Sequence, residues 1–233
     1  MKLVITGATK GIGRAIVLLF AEKGFDVALC ARTGEDVQKL ISFLQDKYPK
    51  QHFIGHAVDM RQKNDVISFA EKIKKQWDFV DVLINNVGVF TPGMIHKEED
   101  GILEQLIETN LYSAYYLTRA LLPTMLSRES GHIFNMCSIA SIVAYPNGGS
   151  YSISKFAMLG FSKVLREELK NKGIKVTAIL PGATWSDSWA DVSLPAPRLM
   201  DATDIAAVIY GAYTLGASAV VEELIIRPQL GDL

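Results

Sequence analysis

Short apolar runs alternate along the chain with stretches whose apolar residues recur every three or four positions. The runs at 3–6, 26–31, 53–58, 82–85, 132–136, 175–180 and 222–226 predict strands. The stretches at 12–23, 35–47, 64–77, 99–126, 151–172 and 203–215 predict helices. Gly24 and Gly173 close two of these helices, Pro181-Gly182 stops a strand, and the stretch 99–126 is expected to break near Pro123. Several strands are apolar at successive positions, which suits a parallel sheet covered on both faces. The alternation predicts an α/β, doubly wound Rossmann fold: a parallel sheet of about seven strands joined by right-handed crossovers, with helices on both faces. No repeat, linker or low-complexity segment interrupts it, so 1–233 is expected to form one domain. The irregular stretch 184–200, rich in Ser, Asp, Pro and Trp, is the expected substrate lid.

Composition agrees with this picture. The 233 residues are 49% hydrophobic and 21% charged, enough for a sizeable core. A net charge of −1 carries no electrostatic footprint for nucleic acid. No apolar run is long enough to cross a bilayer or to form a signal peptide, so a cytoplasmic protein is expected. Cys30 and Cys137 lie in strand-like runs and read as buried free thiols. His52, His56, His96 and His132 show no metal-ligand spacing and read as surface or loosely packed, with no metal expected.

Candidate chemistry sits at two places. Gly7, Gly11 and Gly13 lie between the first strand and the first helix, where glycines allow a tight turn and close approach to a pyrophosphate at a helix N-terminus. The second strand ends at Arg32, without the carboxylate that would hold a ribose 2′-hydroxyl. Arg32, with Lys10 in the glycine loop, suits a 2′-phosphate, so NADPH/NADP+ is expected rather than NAD(H). Asp59, ending the third strand, is placed to accept from an adenine amino group.

The second place is Tyr151 and Lys155, four apart on a predicted helix and therefore on one face, downstream of Ser138. An ammonium beside a phenol favours the phenolate, and Lys155 is expected to lower the Tyr151 pKa. Ser138 follows a strand at the carboxyl edge, where its hydroxyl can polarise a substrate oxygen. Glycine loop and Tyr/Lys pair together suggest hydride transfer at a carbonyl or alcohol carbon.

With Thr6-Gly7-x-x-x-Gly11-x-Gly13, Asp59, Asn85-Asn86-Val87-Gly88, Asn110, Ser138, Tyr151-x-x-x-Lys155 and Pro181-Gly182, the chain resembles the short-chain dehydrogenase/reductase family over essentially its whole length. The resemblance implies a catalytic tetrad of Asn110, Ser138, Tyr151 and Lys155. Tyr151 would be the general acid in reduction, Ser138 would orient the carbonyl, and Lys155 would hold the nicotinamide ribose. Asn110 would help anchor a proton-relaying water. It further implies cofactor contacts from Gly7, Thr9, Lys10, Gly11, Ile12, Gly13, Arg32, Asp59, Met60, Asn86, Val87, Gly88, Tyr151, Lys155, Pro181, Gly182 and Thr184, the last to the carboxamide. Val87 departs from the family's usual alanine and is expected to narrow the site locally.

The resemblance implies a small-molecule carbonyl substrate and a homodimer or homotetramer paired through the helices flanking the fifth strand. Two branches are similar: the 3-oxoacyl-acyl-carrier-protein reductases and bacterial sepiapterin-reductase-like proteins, with segments 130–134 and 220–233 nearer the second. Trp185, Trp189, Leu194 and Met200 are candidates for an apolar pocket wall, or simply for packing the lid on the core, with Val143, Tyr145 and Phe90 opposite. A sensor of NADP(H) on the same fold would have no need of Ser138, Tyr151 and Lys155, and their presence favours an enzyme.

Overall fold

The computed structural model describes residues 1–185 and 198–231. The first half runs β1 Lys2–Thr6, α1 Gly11–Glu22, β2 Asp26–Ala31, α2 Gly34–Lys47, β3 Phe53–Ala57, α3 Lys63–Lys74 and β4 Val82–Asn85. The second half runs α4 Ile102–Ile107, α5 Ser113–Leu126, β5 Gly131–Met136, α6 Gly149–Leu169, β6 Ile174–Pro181, α7 Ala202–Tyr213 and β7 Glu223–Ile226. The seven strands form one parallel sheet in the order β3-β2-β1-β4-β5-β6-β7.

The pleat explains the continuous apolar runs. Leu3 and Ile5 of β1 point to the layer of α1, α2 and α7, where Phe20, Leu44 and Ile209 are buried. Val4, between them, points to the layer of α3, α5 and α6, with Phe69, Leu121 and Leu165. β1, β2 and β4 thus meet a helix layer on both sides, which leaves no place for polar alternation along them.

The long helical stretch departs from expectation. Pro123 lies inside α5 without ending it. The irregularity falls upstream, at a π-helical turn over Glu108–Tyr112 that joins α4 to α5. A wider turn shifts the backbone ladder, and nearby hydroxyls serve its carbonyls: Thr109 donates to Gln105 at 2.8 Å and Ser113 to Thr109 at 2.6 Å.

His132 is also unlike its sequence reading. It is 2% exposed on β5 and stacked on Phe134 with ring centroids 3.9 Å apart. Thr177 donates its hydroxyl to the Val221 carbonyl, so its oxygen accepts from His132 Nε2 at 2.7 Å. That places the proton on Nε2, while Nδ1 is buried without a partner. Burial, helped by Lys175, pushes the imidazole pKa down to about 3. Cys30 and Cys137 are buried free thiols, and burial pushes Cys30 up to about 12.

Candidate active site

Chain order runs outward in both directions from β1 and β4, and the loops beyond their carboxyl ends enclose the crevice where ligands bind in such sheets. Gly7 and Gly11 take positive φ, 64° and 49°. A Cβ on Gly13 would stand 2.1 Å from the Gly7 carbonyl oxygen, so only glycine lets α1 close on this turn. The first turn of α1 has no acidic residue and no side-chain cap, and its amides and dipole favour an anion. Thr9, Lys10 and Ile12 lie in this loop and first turn.

The loop after β4 is stitched to the glycine turn. The Thr6 hydroxyl accepts from the backbone N–H groups of Asn86 and Val87, both at 3.1 Å. The Asn86 side chain donates to the carbonyls of Thr6 and Gly7 at 2.9 and 3.0 Å. Val87 lies against Gly7, its methyl 3.1 Å from where a Cβ would be, so the extra bulk at this position falls on the glycine turn. Gly88 leaves room for Lys155 Nζ, which would be 3.2 Å from a Cβ there.

At the far end, Arg61 binds Asp59 through two nitrogens, Nη2 at 2.7 Å and Nε at 3.0 and 3.2 Å. Those bonds, more than the neighbouring charge of Arg32, hold the Asp59 carboxyl below its usual range. Arg32 and Asp59 are thus neighbours, and sequence reasoning did not single out Arg61 as the partner of the carboxylate. Met60 is buried in the core, with Cys30 Sγ 3.7 Å from its sulfur, so its side chain is not open to the crevice.

The four candidate catalytic residues converge from three elements. Asn110 sits in the π-helical turn. Its side-chain oxygen accepts from Val89 N–H at 2.8 Å, and its amide donates to the Val89 carbonyl at 3.0 Å and to Ser154 at 2.9 Å. Ser138 caps a short 3-10 turn, Ile139–Ser141; its oxygen accepts from Ala140 N–H at 3.1 Å, which leaves its proton to donate. Tyr151 stands in the first turn of α6, one residue past Ser150, whose N–H donates to Glu98 at 2.9 Å and whose hydroxyl also donates to that carboxylate. Glu98 therefore caps α6 from a distant loop, a role with no local signal in the sequence. Ser154, one of the buried serines at the start of α6, was not singled out in the sequence.

Lys155 is 4% exposed, with its ammonium 5.9 Å from the Tyr151 ring centroid and donating to the Met136 carbonyl at 2.9 Å. Burial pushes its pKa down to about 8. The Tyr151 phenol stands above its ordinary range, opposite to the expected direction: burial raises it, hydrogen bonding with Ser138 opposes, and Cys137 adds to the rise. Burial is the chief cause, and the lysine that would favour the phenolate is turned to a backbone carbonyl. A phenol that stays protonated at neutral pH is the form a proton donor needs.

Beyond β6, Gly182 N–H donates to Ile226 at 2.8 Å and the Thr184 hydroxyl to the Gly182 carbonyl at 3.0 Å, beside Pro181. Trp185 N–H donates to Met200 at 2.9 Å and Met200 N–H to Ala183 at 3.1 Å. Trp185 is exposed, whereas Met200 packs with α7 in the core rather than lining a pocket. Trp189, Leu194 and most of the expected lid lie outside the described residues. Among the described residues no cluster of His, Cys, Asp or Glu fits a metal ion, and no helix is long and apolar enough to cross a membrane.

The model of the short chain dehydrogenase family matches residues 2–195, and the chain belongs to that family. It is 33% identical over 239 residues to the sepiapterin reductase of Chlorobaculum tepidum, covering 99% of this chain and 97% of that one. It is 29% identical over 216 residues to a 3-oxoacyl-acyl-carrier-protein reductase of Haemophilus influenzae, covering 88% and 87%. A solved metagenomic short-chain oxidoreductase in complex with NADP matches the fold with a TM-score of 0.85 and 28% identity, covering 98% and 97%.

Proposed function

We propose that the protein is an NADPH-dependent reductase of a ketone or aldehyde, with Tyr151 as general acid. The observation that carries this reading is the convergence of Tyr151, Ser138 and Lys155 beside a glycine turn in which a Cβ on Gly13 would meet backbone at 2.1 Å. That turn and the uncapped α1 N-terminus fit a pyrophosphate, and Arg32 fits a 2′-phosphate. Bound there, NADPH supplies a hydride to the carbonyl carbon.

The chain's own residues do the rest. Ser138, which hydrogen-bonds Tyr151, donates its hydroxyl proton to the carbonyl oxygen and orients it. Tyr151, held protonated by burial, transfers its proton to that oxygen as negative charge develops. Lys155, whose ammonium lies 5.9 Å from the Tyr151 ring centroid, would exchange the Met136 carbonyl for the ribose hydroxyls and offset the phenolate. Asn110 holds the loop carrying Val89 and the helix carrying Tyr151 at a fixed separation. Gly7 to Gly13, Asn86 to Gly88, Asp59, Met60 and the stretch from Pro181 to Thr184 border the cofactor. Among the relatives, the sepiapterin reductase aligns over nearly the full length of both chains and favours a small soluble carbonyl compound. Self-association through α5 and α6 is supported by the exposed Tyr112, Tyr115, Ile153, Phe156 and Val164 on and beside them.

Tyr151→Phe tests the mechanism. Carbonyl-dependent NADPH oxidation is expected to fall at least about a thousandfold, within the range of acid catalysis, while NADPH binding by calorimetry is retained. Unchanged turnover in that variant removes Tyr151 from the reaction.

A further inference from the structure

The reductase reading fixes the reacting atoms but not the body of the substrate. Phe90 bears on that. Its ring lies 4.8 Å from the Tyr151 ring, at 82°, an edge-to-face pair. Yet Phe90 remains 45% exposed. An aromatic ring packed on a reacting phenol and still half open to solvent presents apolar surface where a carbonyl compound must lie.

The ring is also held. Val89, just before it, is bonded at both its N–H and its carbonyl by Asn110. Three residues on, Gly93 N–H donates to the Asn147 carbonyl at 3.0 Å. The segment carrying Phe90 is therefore anchored at one end to the π-helical turn and at the other to the loop before α6. A third ring stands close: the Tyr145 phenol, raised first by burial, is raised further by Tyr151. Tyr145 and Val143 are themselves exposed.

A carbonyl oxygen that accepts from Tyr151 must come within about 3 Å of its hydroxyl. A carbonyl compound held there lies beside the Tyr151 ring, on which the Phe90 ring packs with its centroid 4.8 Å away. A flat, unsaturated substituent can stack on or abut such a ring, whereas a saturated chain gains only its area. Building on the reductase reading, we propose that Phe90 is a specificity-determining residue: its open ring receives the planar substituent of the carbonyl compound, and the enzyme favours aryl or conjugated ketones and aldehydes over saturated ones.

The test uses the full chain and two diketones, 1-phenyl-1,2-propanedione and 2,3-hexanedione, with NADPH oxidation followed at each. In the wild type kcat/KM for the aryl compound is expected to exceed that for the alkyl compound by about tenfold, the size of one aromatic contact. Phe90→Leu removes most of that ratio, chiefly through KM, and Phe90→Trp keeps it. A wild-type ratio near one, or an equal loss on both substrates in Phe90→Leu that Phe90→Trp does not restore, overturns the proposal. Calorimetry on protein saturated with NADP+ adds a measurement free of turnover: acetophenone should bind about tenfold tighter than 2-butanone, and Phe90→Leu should remove the difference. Turnover without an aryl preference sinks the role of Phe90 alone. Selective binding without turnover of any carbonyl sinks the reductase reading, and with it the substrate preference, and leaves only the contact of Phe90 with a planar ligand.

Discussion

Asn110 grips Val89 by both backbone groups, accepting from its N–H at 2.8 Å and donating to its carbonyl at 3.0 Å. The third bond, to Ser154 at 2.9 Å, reaches the helix that carries Tyr151 and Lys155. The side chain and its bond to Ser154 are buried, and the two bonds to Val89 are partly buried. Asn110→Ala leaves the Val89 groups and Ser154 short of partners. It is expected to destabilise the fold by about 2 kcal/mol and to lower kcat more than it raises KM, because it misplaces the proton donor. Denaturant unfolding and steady-state kinetics check both. Unchanged kcat would show that the link between the β4 loop and α6 does not serve catalysis.

Lys155 carries a stability cost. Its pKa falls from 10.5 in the unfolded chain to about 8 in the folded one, through burial. Between those values the unfolded chain binds more protons, so stability rises with pH across that window, and the full penalty stands below pH 8. At pH 7 it is about 3 kcal/mol, against which the bond to Met136 returns about 1 kcal/mol. Lys155→Met is therefore expected to be inactive but more stable at pH 7 by about 2 kcal/mol, with the gain vanishing above pH 10.5. Chemical denaturation at pH 7 and 10.5 reads this; a destabilised variant at pH 7 means that the ammonium is better solvated than its burial implies.

Arg32 neighbours Asp59, whose carboxylate is already held by Arg61. Arg32→Asp replaces a guanidinium by a second carboxylate at the proposed 2′-phosphate position. NADPH affinity should drop by about a hundredfold or more, and NADH affinity much less. Equal losses for the two cofactors would place the 2′-phosphate elsewhere.

His132 predicts acid sensitivity away from the active site. Its pKa falls from 6.5 unfolded to about 3 folded, so the unfolded chain takes up a proton that the folded one excludes. Stability contributed by the neutral ring is complete above pH 6.5 and declines as pH falls, by about 1.4 kcal/mol per unit down to pH 3. Denaturant midpoints between pH 6.5 and 4 should show this slope in the wild type and a shallower one in His132→Asn. Parallel slopes in the two proteins would assign the acid loss to other groups.

The strands were readable because a two-sided buried sheet writes itself as unbroken apolar runs; β2 and β4 match their predicted spans of 26–31 and 82–85. Gly7 and Gly13 were readable because a positive φ at the first and a backbone collision at the second favour glycine. The π-helical turn was not, since Thr109 and Ser113 look like ordinary helix residues until their hydroxyls are seen on backbone carbonyls. Nor was the rise in the Tyr151 pKa. A spacing of four places Lys155 on the same face, but the choice of Met136 as its partner depends on how β5 ends beneath α6. Glu98 was silent because it caps α6 across 52 residues, and no local pattern encodes so distant a pairing. His132 was misread for a similar reason: the partner that lets it be buried, Thr177, comes from the neighbouring strand β6.

The two sealed thiols lie on opposite sides of the crevice, Cys30 on β2 and Cys137 just past β5. Neither is a thiolate at neutral pH, and neither is accessible in the native fold. Alkylation of either must wait for the chain around it to open, which makes each a clock for its own half of the sheet. If the clocks run together, the nucleotide half and the catalytic half unravel as one cooperative unit. If Cys30 runs ahead, the dinucleotide half breathes on its own, and added cofactor should slow that clock first.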